Sequence, residues 1–190
     1  MPLVVKDVVV MAGMGGPAGD GYSESMLAVK EGYPGDVRGY DARTGKLLWT
    51  FHTVPKPGEV GNETWPGDSW KNVAGANVWS FFTVDAARGI LYMPLGSVNN
   101  DYYGKDRPGP NLFANSIVAV EAETGKLKWY FQAIHHDLWD YDMPIPPVLF
   151  DVTKDGKKIP AVGAMTKNTL LFILDRETGK PIYPIEERPV

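Results

Sequence analysis

Two aspartates, Asp140 and Asp142, stand two residues apart in the stretch His135-His136-Asp137-Leu138-Trp139-Asp140-Tyr141-Asp142-Met143-Pro144. A carboxylate in such a loop can act as a general base, donate hard oxygen to a divalent cation, or cap a turn. Asn99 and Asn100, following Gly96-Ser97-Val98, add amide oxygens of the same hard type. Trp79, in Asn77-Val78-Trp79-Ser80, offers either an indole face for a planar ring or bulk for a core. His135 and His136 do not make a zinc pair, because adjacent residues of a strand point to opposite faces, and His52 is remote in sequence. Gly13-Met14-Gly15-Gly16-Pro17-Ala18 imitates a dinucleotide-binding loop, but Pro17 and the lack of any βαβ rhythm argue against one. No Gly-Lys-Ser/Thr is present, so there is no Walker A loop. With no cysteine in 190 residues, disulfide scaffolds, thiolate metal sites and cysteine nucleophiles are excluded.

The elements that must carry these residues are strands. Twenty-one glycines and 16 prolines exceed average usage, roughly 12% for the two together, and six Trp, nine Tyr and seven Phe add large flat side chains. Val8–Met11, Leu47–Phe51, Val78–Val84, Ser116–Val120 and Leu170–Leu174 are short β-branched or aromatic runs bounded by Gly, Pro, Asp or Asn. Only Ser23–Lys30 has helical character, with Ser23 as N-cap, and it spans two turns at most. The chain is expected to be all-β.

Its length suits one domain, and 44% hydrophobic with 22% charged residues is a globular composition. A net charge of −4 gives no basic face for nucleic acid. No apolar run is long enough to span a bilayer, and the first residues have neither the basic nor the apolar region of a signal peptide.

A repeat organises the chain. Asp41-Ala42-Arg43-Thr44-Gly45-Lys46-Leu47-Leu48-Trp49 recurs as Glu121-Ala122-Glu123-Thr124-Gly125-Lys126-Leu127-Lys128-Trp129 and as Asp175-Arg176-Glu177-Thr178-Gly179-Lys180-Pro181-Ile182-Tyr183. Asp85–Tyr92 is a looser relative. An acidic residue ends one strand, Thr-Gly turns with Gly at positive φ, and Lys opens the return strand. The aromatic three residues after Lys is then placed to wedge against a neighbouring unit. A propeller blade takes roughly 40–50 residues. The interval from Thr44 to Thr124 therefore holds a blade and a half, or one blade enlarged by insertions at 55–76 and 96–113. The whole chain, 1–190, makes about three to four blades with open edges.

This repeat, together with the His135–Pro144 stretch, resembles the pyrroloquinoline-quinone (PQQ) dependent dehydrogenases, eight-bladed propellers with tryptophan-docking repeats. The glucose dehydrogenase branch of that family is the most similar. Gly61-Asn62-Glu63-Thr64-Trp65 and Asn100-Asp101-Tyr102-Tyr103-Gly104 belong to the same likeness, which runs from about residue 35 onward. The resemblance implies oxidation of a sugar or alcohol, with PQQ and a divalent cation as cofactors, calcium before magnesium or a lanthanide. It implies Asp140 as general base and Lys167 against the quinone oxygens. Trp79 would be the stacking floor, with Asn77 beside it offering an amide to a PQQ carboxylate. Asp140, Asp142 and Asn99 are the implied metal ligands, with Glu31 a further candidate in a segment, 12–34, that departs from the family text. A quinone or cytochrome would accept the electrons, in the periplasm. The remaining blades, or self-association, would cover the open edges, and the isolated piece is expected to have little activity. The alternative is a non-catalytic propeller scaffold with the same repeat, which has no need of the paired aspartates.

Overall fold

The computed structural model describes residues 3–12, 35–99 and 101–188. The helical stretch at 23–30, the glycine-rich loop at 13–18, Glu31 and Asn100 lie outside them. Among the described residues eleven strands form three antiparallel sheets. The first is β1 (Leu3–Val5), β2 (Val8–Ala12), β3 (Val37–Asp41) and β4 (Leu47–Phe51). The second is β5 (Thr83–Asp85), β6 (Ile90–Pro94), β7 (Ser116–Glu121) and β8 (Leu127–Gln132). The third is β9 (Val148–Lys154), β10 (Lys157–Met165) and β11 (Leu171–Asp175). Each is a meander in which sequence neighbours pair. Among the described residues the only helical elements are two short 3-10 turns, Asn62–Thr64 and Ser69–Asn72.

The middle sheet explains the most apolar part of the chain. Leu91, Met93, Val118 and Val120 face the first sheet and pack with Val10, Val37 and Phe51. Ile90, Tyr92, Ile117 and Ala119 face the third and pack with Val162, Phe172 and Leu174. Both faces being covered, β6 is buried along its whole length, whereas β2 in the outer sheet alternates.

The repeat turns are built alike. Asp41 Oδ1 accepts from Thr44 N (2.7 Å) and Thr44 Oγ1 (2.8 Å), and Asp175 Oδ1 accepts from Thr178 N and Oγ1 (both 2.9 Å). In the middle copy Glu121 reaches Thr124 Oγ1 at 2.7 Å. Gly45, Gly125 and Gly179 have φ of 70°, 69° and 72°. The downstream tryptophans wedge between sheets as the spacing implies. A Cβ on Gly125 would lie 2.5 Å from the Trp49 ring, and one on Gly179 2.6 Å from the Trp129 ring. Only a bare glycine lets the indole lie on the turn.

The long interval between the first two copies is one sheet enlarged by insertions, not a blade and a half. The insertions pack on each other: Trp65 is buried and donates from Nε1 to the Leu112 carbonyl at 2.5 Å. Successive meander connections alternate ends. The repeat turns β3–β4, β7–β8 and the one after β11 lie at one end. The connections β4–β5, β6–β7, β8–β9 and β10–β11 lie at the other, and these carry the residues with candidate chemistry.

Candidate functional site

Four connections bring the site together. Trp79 lies between β4 and β5, Gly96 and Ser97 between β6 and β7, Asp140 and Asp142 between β8 and β9, and Lys167 between β10 and β11. Lys167 Nζ lies 2.7 Å from Asp140 Oδ2 and 2.6 Å from Asp142 Oδ2. The same nitrogen sits 5.6 Å from the centre of the Trp79 ring, within cation–π range. The Lys167 amide donates to the Asp142 carbonyl at 2.9 Å, so backbone as well as charge joins the two loops. Asp142 Oδ1 accepts from the Ser97 amide. Gly96 makes the approach possible, since a Cβ there would lie 2.7 Å from Asp142 Oδ1 and 3.1 Å from Trp79 Nε1.

Two carboxylates against one ammonium leave the cluster one negative charge in excess, and it holds protons accordingly. Burial raises the Asp140 carboxyl above its ordinary value. The Lys167 hydrogen bond pulls it back, and neighbouring Asp142 pushes it up again. Burial lowers Lys167, but its bonds to Asp140 and Asp142 outweigh that and leave the ammonium above its ordinary value. Asp101 is raised by burial, then by the charges of Asp140 and Asp142.

Trp79 is 52% exposed, so the indole is not buried as a core wedge. Asn77 is half-buried and its carbonyl accepts from the Gly96 amide at 3.0 Å. Asn99, expected as a metal ligand, accepts at its side-chain oxygen from the Ala74 amide while its own amide donates to the Ala74 carbonyl, which ties two loops together. Asp140 and Asp142, the other two expected ligands, both face Lys167. Among the described residues no three acidic or histidine side chains converge as a metal centre. The adjacent histidines lie in the bend after β8 rather than on a strand, and they take separate partners: His135 Nδ1 pairs with Glu187 at 2.6 Å and His136 Nδ1 with the Gly109 carbonyl at 2.8 Å. An open cavity of about 580 Å³ borders His136 and Leu138, but neither Asp140 nor Lys167 lines it.

Sequence reasoning assigned no role to Asp137, Ser97 or Asn115, which form a buried polar group under the loop. The signal available was the Asp-x-Trp-x-Tyr spacing, since an Asp side chain commonly bonds the backbone two residues on. Here Asp137 Oδ1 accepts from Trp139 N at 2.9 Å.

Comparisons with known proteins agree with this architecture. Residues 1–190 match the family model described as PQQ: Glucose/ethanol/alcohol dehydrogenase, beta-propeller domain. The chain therefore belongs to that family of PQQ-dependent propeller dehydrogenases. It is 40% identical to quinoprotein glucose dehydrogenase A of Acinetobacter calcoaceticus over 99% of its own length and 22% of that protein. It is 36% identical to the quinoprotein glucose dehydrogenase of Escherichia coli K12, covering 100% and 22%. Among solved structures, the quinohemoprotein alcohol dehydrogenase ADHIIG of Pseudomonas putida HK5 superposes with a TM-score of 0.79 at 32% identity, covering 96% of this chain and 27% of that one. The chain thus spans about a fifth of the length of the curated relatives. No helix among the described residues is long and apolar enough to cross a membrane.

Proposed function

We propose that this chain carries the proton-accepting part of a PQQ-dependent oxidation of a sugar or alcohol, with Asp140 as the general base. The observation that supports it most is the juxtaposition of Asp140, Lys167 and the exposed indole of Trp79. The residues fit the cofactor in kind. An exposed indole and an ammonium 5.6 Å from its centre suit a planar, anionic ring system, and bare Gly96 keeps the indole and Asp142 side by side. PQQ, when bound, supplies the electrophilic carbonyl that takes the substrate's hydride. Asp140 takes the hydroxyl proton; its upward-shifted carboxyl brings it nearer the working pH of a base than a solvated aspartate would be. Lys167 holds that carboxylate in place and supplies positive charge where negative charge develops. Asn77, two residues before Trp79, would offer its amide to a PQQ carboxylate, as the family likeness implies.

The donor set fits a divalent cation less well. A hard ion such as calcium takes six to eight oxygens, and here two carboxylates flank an ammonium that stands between them. Calcium, magnesium or a lanthanide would have to displace Lys167 from Asp140 and Asp142, so no step is assigned to it. A quinone or cytochrome acceptor, a periplasmic setting and further blades against the outer sheets complete this reading on the strength of the family.

The test is titration of PQQ, with and without calcium, into a complete propeller that carries this chain, read by tryptophan fluorescence and PQQ absorbance and followed by dye-linked turnover. Trp79→Ala should weaken binding about tenfold, the worth of one stacking contact. Asp140→Asn should leave binding in place while lowering turnover by about a hundredfold or more. Unchanged spectra on adding PQQ, or an Asp140→Asn variant that turns over like the parent, would defeat the assignment.

A further inference from the structure

Beneath the aspartate loop lies a buried carboxylate that the proposed reaction does not use. Asp137 is 3% exposed. Its Oδ2 accepts from Ser97 Oγ at 2.6 Å, Asn115 Nδ2 at 2.9 Å and Tyr141 N at 2.7 Å, while Oδ1 accepts from Trp139 N at 2.9 Å. All four partners are donors, so only a group that accepts at both oxygens satisfies them. Two of them are the backbone amides on either side of Asp140. That residue has φ of 59°, in the left-handed region that a non-glycine residue keeps only where its surroundings over-determine it. Ser97 links the layers, because its hydroxyl serves Asp137 while its amide serves Asp142.

We propose that Asp137 is a positioning residue: by gripping the amides of Trp139 and Tyr141 it sets the left-handed turn that presents the Asp140 carboxylate to Lys167. The inference rests on the reading of Asp140 as base, but its central claim, the placing of the Asp140–Lys167 pair, is measured without turnover. An amide at position 137 has the right shape and one oxygen too few. It turns an NH2 toward a donor and costs at least one charge-assisted bond.

Asp137→Asn, Ser97→Ala and Asp140→Asn variants, made in a complete propeller that carries this chain, are acylated with a lysine-specific reagent, and modification of Lys167 is timed by peptide mass spectrometry against Lys126 and Lys158. Asp137→Asn should speed Lys167 acylation severalfold, leave the two reference lysines unchanged, and lower dye-linked kcat about ten- to a hundredfold at constant KM. Ser97→Ala, which removes one of the four bonds, should act in the same direction and less. It decides the matter if Asp137→Asn does not unfold cooperatively. Lys167 acylation and kcat both within about twofold of the parent would overturn the proposal, since supporting groups of this kind matter by more than that. Asp140→Asn separates the two claims. If it keeps full turnover, the assignment of the base fails, while the acylation result still judges Asp137.

Discussion

Replacing Lys167 by methionine keeps the length of the side chain and removes its charge, which isolates the electrostatics of the cluster. Two ion pairs are lost, at 2.7 and 2.6 Å. Opposite charges about 4 Å apart attract by about 4 kcal/mol at an effective dielectric of 20, but solvent reduces this unequally. The Lys167 side chain is 35% exposed and that of Asp140 28%, so their pair belongs with the screened ones, about 0.5–1 kcal/mol. Asp142 is only 9% exposed. Stripping a fully buried charge of its partner costs about 3–5 kcal/mol, and roughly half of that applies where the partner itself is partly solvated. Lys167→Met should therefore lower stability by about 2–3 kcal/mol at pH 7.

The pH dependence gives the sharper check. The Asp140 carboxyl is held above its ordinary value, so its contribution favours the folded chain in acid and fades as pH rises from the ordinary aspartate range through the raised value. Losing Lys167 removes the one group pulling that value down, and the fade becomes deeper in the variant. Lys167, itself held above its ordinary value of 10.5, stabilises the fold below that pH and ceases to as pH climbs through the raised one. Urea unfolding of parent and variant at constant ionic strength should therefore show a wider gap near pH 7 than near pH 3, where Asp140 is protonated and its pair with Lys167 is gone. The reasoning is refuted if the gap at pH 7 is under about 0.5 kcal/mol, the range of an ordinary surface substitution, or is as large at pH 3 as at pH 7.

Other substitutions test other joints. Gly179→Ala should destabilise by about 2–4 kcal/mol, from a Cβ 2.6 Å from the Trp129 ring and a φ of 72°; a loss under about 0.5 kcal/mol by urea unfolding would show that the turn gives way freely. Arg176→Met removes a side chain that lies 3.3 Å from Asp85 and 3.0 Å from Asp151. Since Asp85 is buried, a loss of about 2–3 kcal/mol at neutral pH is expected from urea unfolding, and an unchanged midpoint would mean that Arg88, 3.1 Å away, serves Asp85 alone.

How far the sequence could be read depended on whether the signal was local. The repeat turn is local: an acid, a Thr and a Gly within five residues determine their own hydrogen bonds, and three copies share one geometry. The wedge of each tryptophan followed from the same spacing. The insertions could not be resolved in advance, because the packing of Trp65 under Leu112 joins residues 47 apart with no pattern in common. The bond that Asn99 makes was hidden for a related reason. An amide after a Gly-Ser pair has the chemistry of a cation ligand, and the Ala74 amide that it accepts from lies in another loop. Asp137 was overlooked because its four bonds reach both backward to Ser97 and forward to Tyr141. The two aspartates that drew notice were the ones left half-open for chemistry or paired with Lys167, not the one that holds the loop.

The geometry of the site therefore depends on how the sheets are spaced. Asp140 sits on the connection from the second sheet to the third, and Lys167 belongs to the third. Trp129, at the far end of the same two sheets, is the wedge between them: its ring covers Gly179 and its Nε1 donates to the Arg176 carbonyl at 3.2 Å. Trp129→Phe keeps an aromatic wedge but loses that bond and part of the ring. The bond alone is worth about 1 kcal/mol, so the chain should stay folded while the third sheet settles closer to the second. An ion pair at 2.7 Å has little room for such a shift, and Lys167 should become easier to acylate than in the parent although the substitution lies at the opposite end of the sheet. Equal acylation in a destabilised but folded Trp129→Phe chain would mean that the connections carry the site by themselves, and that the wedges serve stability alone.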